Sequence, residues 1–391
     1  MKLSQVLHRQ HIGFMFKKHW MVQGKRVPID TGVEDSLKQK GIPFEDALEF
    51  VKEKQEPKER IKIVGPYERP LPQDENHPDF KERPCYTLKK SNVLLEGISQ
   101  AQVLTKTIIA EDVLPQRIEE LAELPAPKAI HRGVKQAILN ANVFDLYAFK
   151  LILLLNLTNK LLQLVEKSND AEVTQNKYVL NDVESLSVFD KEDDLIQFQE
   201  MSNILVTSNK PLKHDLNESN IPFIEIPDLY PVKHTVTLPP EHFYSESSKY
   251  RKSVRSSIIK KHPHTTWLHF NSTEVNNIFE TPVTPTQILG RSLTHAFTVA
   301  TAYAKQLYGE DVKDLPDPIH LNCIQTDGQR FHFGVLELNT LNLDGTEGTK
   351  NVWYCKNDLK LYDSCRYLSA IPVLENYNPK VYGYINAFYN C

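Results

Sequence analysis

The stretch 284–338 leaves this chain little choice of local structure. Thr284 stands where a helix N-cap is needed, and Pro285 occupies the first helical position, where a missing N–H costs nothing. Ile288, Leu289, Ala296, Phe297, Ala300, Tyr303, Ala304 and Leu307 then recur at helical spacing, and Gly309 supplies a stop. Residues 319–326 are apolar enough for a strand. Asp327-Gly328 is a favoured two-residue hairpin turn, and 331–338 reads as the returning strand, with Phe331, Phe333 and Val335 on its core side.

The rest of the 391-residue chain is read around that unit. Residues 92–107 carry helical spacing, 112–124 form a shorter acidic helical piece, and 135–167 is the strongest helical region, read as a buried core helix with a partner-binding helix as the alternative. Residues 182–200 hold seven acids against one lysine and read as a loop or exposed region; they lack the ligand alternation of a calcium loop. Residues 204–207 and 223–226 read as strands, the second bracketed by Pro222 and Pro227. Five prolines between 65 and 84 predict an extended strap. The expected fold is mixed α/β, with helices packed on a mainly antiparallel sheet and an extended Pro-rich N-terminal region. The domain organisation follows: 1–29 a basic arm or transit peptide, 30–84 a charged and Pro-rich extension, 85–391 a globular domain.

Residues 1–29 contain no acid but hold Lys2, Arg9, Lys17, Lys18, Lys25 and Arg26 among apolar residues, a pattern that suits a mitochondrial transit peptide. The longest apolar run, 149–157, is too short to span a bilayer, so no membrane partner is expected. The five cysteines, Cys85, Cys323, Cys355, Cys365 and Cys391, show no CxxC pair and read as free thiols in a reducing compartment.

Chemistry is sparse. There is no nucleophile elbow, dinucleotide or phosphate loop, or zinc-protease motif. His320, Cys323, Asp327 and His332 cluster on the hairpin, and the two histidines are placed to approach across it, but packing or surface roles are the commoner fate of such residues. No catalytic residue, metal ligand, cofactor or small-molecule substrate is therefore assigned. The segment 247–273 stands out: no acid, and Lys249, Arg251, Lys252, Arg255, Lys260 and Lys261 interleaved with Tyr250, His262, His264 and Trp267. Cations neutralise phosphates and flat rings stack on unpaired bases. These six residues, with Lys25 and Arg26, are the candidate RNA-binding set. The overall charge of −4 argues that such contact is peripheral rather than deep in RNA.

Two ordered series of short strings carry a resemblance. One is Leu307-Tyr308-Gly309, Thr326-Asp327-Gly328, Phe331-His332-Phe333, Leu338-Asn339-Thr340, Leu343-Asp344, Glu347-Gly348 and Lys350-Asn351; the other is His77-Pro78, Cys85-Tyr86, Leu94-Leu95-Glu96-Gly97 and Leu104-Thr105-Lys106-Thr107. Together they resemble the mitochondrial large-subunit ribosomal protein family numbered thirty-seven in the ribosomal series. The resemblance implies a non-catalytic structural constituent of the mitochondrial ribosome, lodged in the matrix and supporting translation. It also implies peripheral contact with large-subunit rRNA, and neighbours among the other large-subunit proteins, including a related sister protein associated with cell death. The rivals are an enzyme of unknown class and a non-ribosomal interaction module.

Overall fold

The computed structural model describes residues 31–43, 73–145, 150–214, 221–229, 238–250, 261–279, 281–368 and 371–391. The chain divides into two units, Met1–Pro72 and Gln73–Cys391. In the first, the described residues form one short helix, α1 (Val33–Gln39), with no buried residue. The transit-peptide segment and residues 65–72 of the strap lie outside the described residues.

Among the described residues, the second unit is built on a mixed sheet of nine strands: β1 (Cys85–Lys89), β2 (Thr107–Glu111), β3 (Lys177–Lys191), β4 (Asp194–Ser208), β5 (Pro240–Glu241), β6 (His262–His269), β7 (Asp314–Thr326), β8 (Arg330–Thr340) and β9 (Asn351–Lys360). The main order is β2-β9-β8-β7-β6-β4-β1-β5, with β3 on the other side of β4. Most pairings are antiparallel; β1–β4, β2–β9 and β6–β7 are parallel. Strands β10 (Ser364–Leu368) and β11 (Ile371–Glu375) form a separate hairpin.

Helices cover both faces, because successive side chains of a strand point opposite ways and both sets are apolar here. On one face, α2 (Ile98–Thr105) and α7 (Pro285–Tyr308) pack with Leu321, Cys323, Leu336 and Leu338. On the other, α3 (Gln116–Ala122), α4 (Lys128–Asp145), α5 (Lys150–Ser168) and α8 (Pro379–Asn390) cover Ile324, Phe331, Phe333 and Val335. A small helix, α6 (Ala171–Gln175), leads into β3. The region 135–167 therefore belongs to two helices packed together.

The expected helix and hairpin are present. Thr284 Oγ1 accepts from Gln287 N at 3.4 Å while Gln287 Oε1 accepts from Thr284 N at 3.0 Å, a reciprocal cap. Gly97 and Gly290 let α2 and α7 touch: a Cβ on Gly290 would lie 2.5 Å from the Gly97 carbonyl carbon.

Two expectations are corrected. The acidic stretch 182–200 is not a loop; it is most of the long β3–β4 hairpin, in which Val183, Phe189, Ile196 and Phe198 are buried and only the turn region carries the clustered acids. The expected strand at 223–226 reduces to one bridge between Ile224 and Ile109 (2.7 and 3.2 Å), because the flanking prolines offer no N–H to extend a ladder. Residues 73–84 belong to the second unit. Phe80 stacks on His242 at 4.8 Å, and Arg83 reaches Asp190 at 2.7 Å.

Candidate nucleic-acid interface

Of the eight candidate RNA-binding residues, Lys25, Arg26, Arg251, Lys252, Arg255 and Lys260 lie outside the described residues. Lys249 and Lys261 are placed. Lys249 is exposed, and its backbone exchanges two hydrogen bonds with Leu186 of β3, at 2.7 and 2.9 Å. Lys261 is buried: its ammonium sits 3.6 Å from the centre of the Tyr178 ring and donates to Asn209 Oδ1. The basic segment is therefore tied to β3 at Leu186 on one side and Tyr178 on the other.

The rings interleaved with those cations are not a stacking surface. Residues 262–269 form β6, which lies between β4 and β7 in the middle of the sheet, so Trp267 and His264 are 1% and 2% exposed. Tyr250 is buried against Tyr303. His262 is half-buried, its Nδ1 2.5 Å from the Tyr303 hydroxyl. Burial depresses the His264 imidazole to about 3, assisted by the Lys177 charge, and His269 to about 4, assisted by Arg291. Both are neutral near pH 7.

The structure instead gathers a surface to which the composition of 247–273 gives no clue. β4 ends at Ser208, and Asn209, Lys210 and Lys213 follow, all exposed. Asn209 joins Asn176 through its amide (2.9 Å) and its backbone N–H (3.1 Å), which sets this turn beside Tyr178 and Lys261. The available signal was the run 201–213, which has two lysines and no acid.

The hairpin cluster does not assemble. Strand register places His320 opposite Glu337 and His332 opposite Gln325, so the two histidines are well separated along the ladder. Cys323 lies opposite Gly334, and burial raises its thiol well above the ordinary range. A different constellation does form under α7. His295 Nε2 lies 2.8 Å from Thr266 Oγ1 and 3.2 Å from Ser202 Oγ, and its Nδ1 lies 3.5 Å from Glu200 Oε2. Hydroxyl, imidazole and carboxylate stand in the order of a nucleophilic triad. All four residues are at most 1% exposed, so the group fastens α7 to β4 and β6 and meets no substrate. Arg291 joins the same interface, donating to the His269 carbonyl at 3.0 Å.

The two sequence series that carry the family resemblance meet in space. Asn351 Nδ2 donates to the carbonyls of Thr105 (2.8 Å) and Thr340 (3.1 Å), and its Oδ1 accepts from the backbones of Asn339 and Thr340. The Lys106 ammonium donates to the Asn342 and Asp344 carbonyls at 3.2 and 2.8 Å. Lys191, also buried, donates to the Leu343 carbonyl at 2.6 Å. Residues far apart in sequence thus fix one loop, 341–350.

No family model matches the chain. Among curated proteins it is similar to the chicken (Gallus gallus) protein named large ribosomal subunit protein mL37, with 29% identity over 316 residues, 78% of this chain and 72% of the relative. The chain is a homologue of the mL37 proteins. The rat (Rattus norvegicus) mL37 is 28% identical over 319 residues, covering 78% of this chain and 73% of its own length. The bovine (Bos taurus) mL37 is 27% identical over 322 residues, covering 78% and 72%. A match to mL37 of this extent reaches well beyond the short strings that carry the resemblance.

Proposed function

We propose that the chain is a structural constituent of the large subunit of the mitochondrial ribosome, bound in the matrix and serving mitochondrial translation as a scaffold rather than as an enzyme. The observation that carries this is homology over about three quarters of the chain to proteins named for the large ribosomal subunit. The sealed state of the Glu200–His295 constellation supports the non-catalytic part, since a reacting group needs access to its substrate. The net charge of −4 suits a peripheral position in which protein neighbours, a related sister protein among them, outnumber RNA contacts. The basic residues Lys25, Arg26, Lys249, Arg251, Lys252, Arg255 and Lys260 supply the limited rRNA contact, with Lys261 holding the segment to β3.

Sedimentation of a mitochondrial lysate tests the assignment. The chain is expected with the large subunit at low salt and after a moderate salt wash; recovery only in the light fractions would overturn it. Replacing Lys249, Arg251, Lys252 and Arg255 by Ser is expected to weaken association more than replacing Lys52, Lys54 and Lys58. Equal effects would leave protein docking alone.

A further inference from the structure

Tyr178 is 40% exposed although it lies within a fifteen-residue strand of the sheet. Its backbone is held by the ladder to Thr207, whose hydroxyl also donates to the Tyr178 carbonyl at 3.4 Å. Its ring is fixed by the Lys261 ammonium, which covers one face at 3.6 Å and, by hydrogen bonding, holds the phenol below its ordinary pKa. A ring held in place with part of its surface open to solvent can receive a flat partner without first being ordered. Asn209, whose amide donates to Asn176 Oδ1, accepts from the same Lys261 ammonium and is followed in the chain by the exposed lysines Lys210 and Lys213, which make no ion pair among the described residues. The acid sharing a cleft with Lys213 is Asp317, and the two form no salt bridge.

We propose that Tyr178 is a stacking platform for an unpaired RNA base, with Lys210 and Lys213 on the neighbouring phosphates. This rests on the reading of the basic segment as RNA-facing and extends it to residues outside that segment. Ring, cations and amides correspond to the three parts of a nucleotide: base face, phosphate and base edge. A protein partner would use the ring equally well, but the Lys261 ammonium over the ring and the exposed Lys210 next to Asn209 favour a polyanion. The strand supplies the rigidity. A base meeting a ring already held by Lys261 need not order it first.

The test is anisotropy of a short fluorescein-labelled oligouridylate titrated with the full chain. Tyr178→Leu keeps apolar bulk but removes the π-face, and is expected to weaken binding about tenfold with an unchanged salt slope. Tyr178→Phe is expected to bind like the parent. The double change Lys210→Ser, Lys213→Ser is expected to lower the slope of log affinity against log salt by roughly 0.7 for each phosphate no longer neutralised. Parental affinity in Tyr178→Leu, while Lys249→Ser with Arg251→Ser weakens binding, overturns the platform and leaves the RNA reading standing. Failure of the parent chain to bind the oligomer at low salt overturns both. Loss of large-subunit association in Tyr178→Leu with oligomer binding intact assigns the ring to a protein neighbour and also overturns the platform. A thermal melt of each variant beside the parent separates these outcomes from unfolding.

Discussion

Two long hairpins, β3–β4 and β7–β8, flank β6, and the sheet treats them differently. In β7–β8 both strands are interior: β8 pairs β9 as well as β7, and Phe331, Phe333, Val335, Leu336 and Leu338 are all at most 1% exposed. In β3–β4 the outer strand has one neighbour along its length; among the described residues its far side carries the Leu186–Lys249 bridge and side-chain bonds at Val188, whose N–H donates to Ser248 Oγ and whose carbonyl accepts from the Lys305 ammonium. Its second half is buried, while Tyr178 and Val179 in the first half are exposed. The opposite edge of the sheet, β2, is bridged by the segment carrying Ile224 between two prolines. A strand edge offers unpaired N–H and C=O groups to any partner, and proteins usually cover it. The difference teaches that stability is concentrated in one hairpin and surface for partners in the other.

That contrast can be broken by measurement. The largest effect is expected from Phe333→Ala, which empties a site between β8 and the rings of Tyr384 and Phe388 and should cost ~3–5 kcal/mol in denaturant unfolding. A cost below 1 kcal/mol, on that same approximate scale, would deny β7–β8 its central place. Next comes pH. His264 and His269 lie on β6, which joins the hairpins, and their folded pKa values are depressed from 6.5 to about 3 and about 4. The unfolded chain therefore takes up these protons first, and stability is lost as pH falls from about 6.5 toward 4. The loss should reach about 2 kcal/mol for each imidazole near pH 5. An unfolding midpoint unchanged between neutral pH and about pH 5 would contradict their burial. Thr284→Ala, which breaks the reciprocal cap of α7, should cost about 1 kcal/mol. The smallest effect is expected at Tyr178→Leu: a melting temperature close to the parent's, within ~0.5 kcal/mol. A large destabilisation there would make β3 part of the core and erase the distinction.

How far the fold is legible in the sequence follows the reach of each signal. The helix α7 and the Asp327-Gly328 hairpin are legible because their determinants are local: a cap, a proline, a turn pair and an apolar period. The β3–β4 hairpin reads as a loop because its acids cluster at and near its turn, while the cover for Val183 and Phe189 comes from residues about a hundred positions away on α7. The candidate interface fails in the same way. Lys, Tyr, His and Trp between 249 and 267 share a composition but not an environment, since β6 enters the middle of the sheet.

The chain alone determined the elements whose stabilising contacts lie within a few residues, and the ordered strings that carry its resemblance to a ribosomal protein family. The tertiary structure alone decided which rings are buried, which carboxylate faces which imidazole, and which aromatic stays in water with an ammonium over its face. The reason is that burial and charge pairing are set by neighbours distant in sequence, and a residue type carries no record of what the fold will place against it.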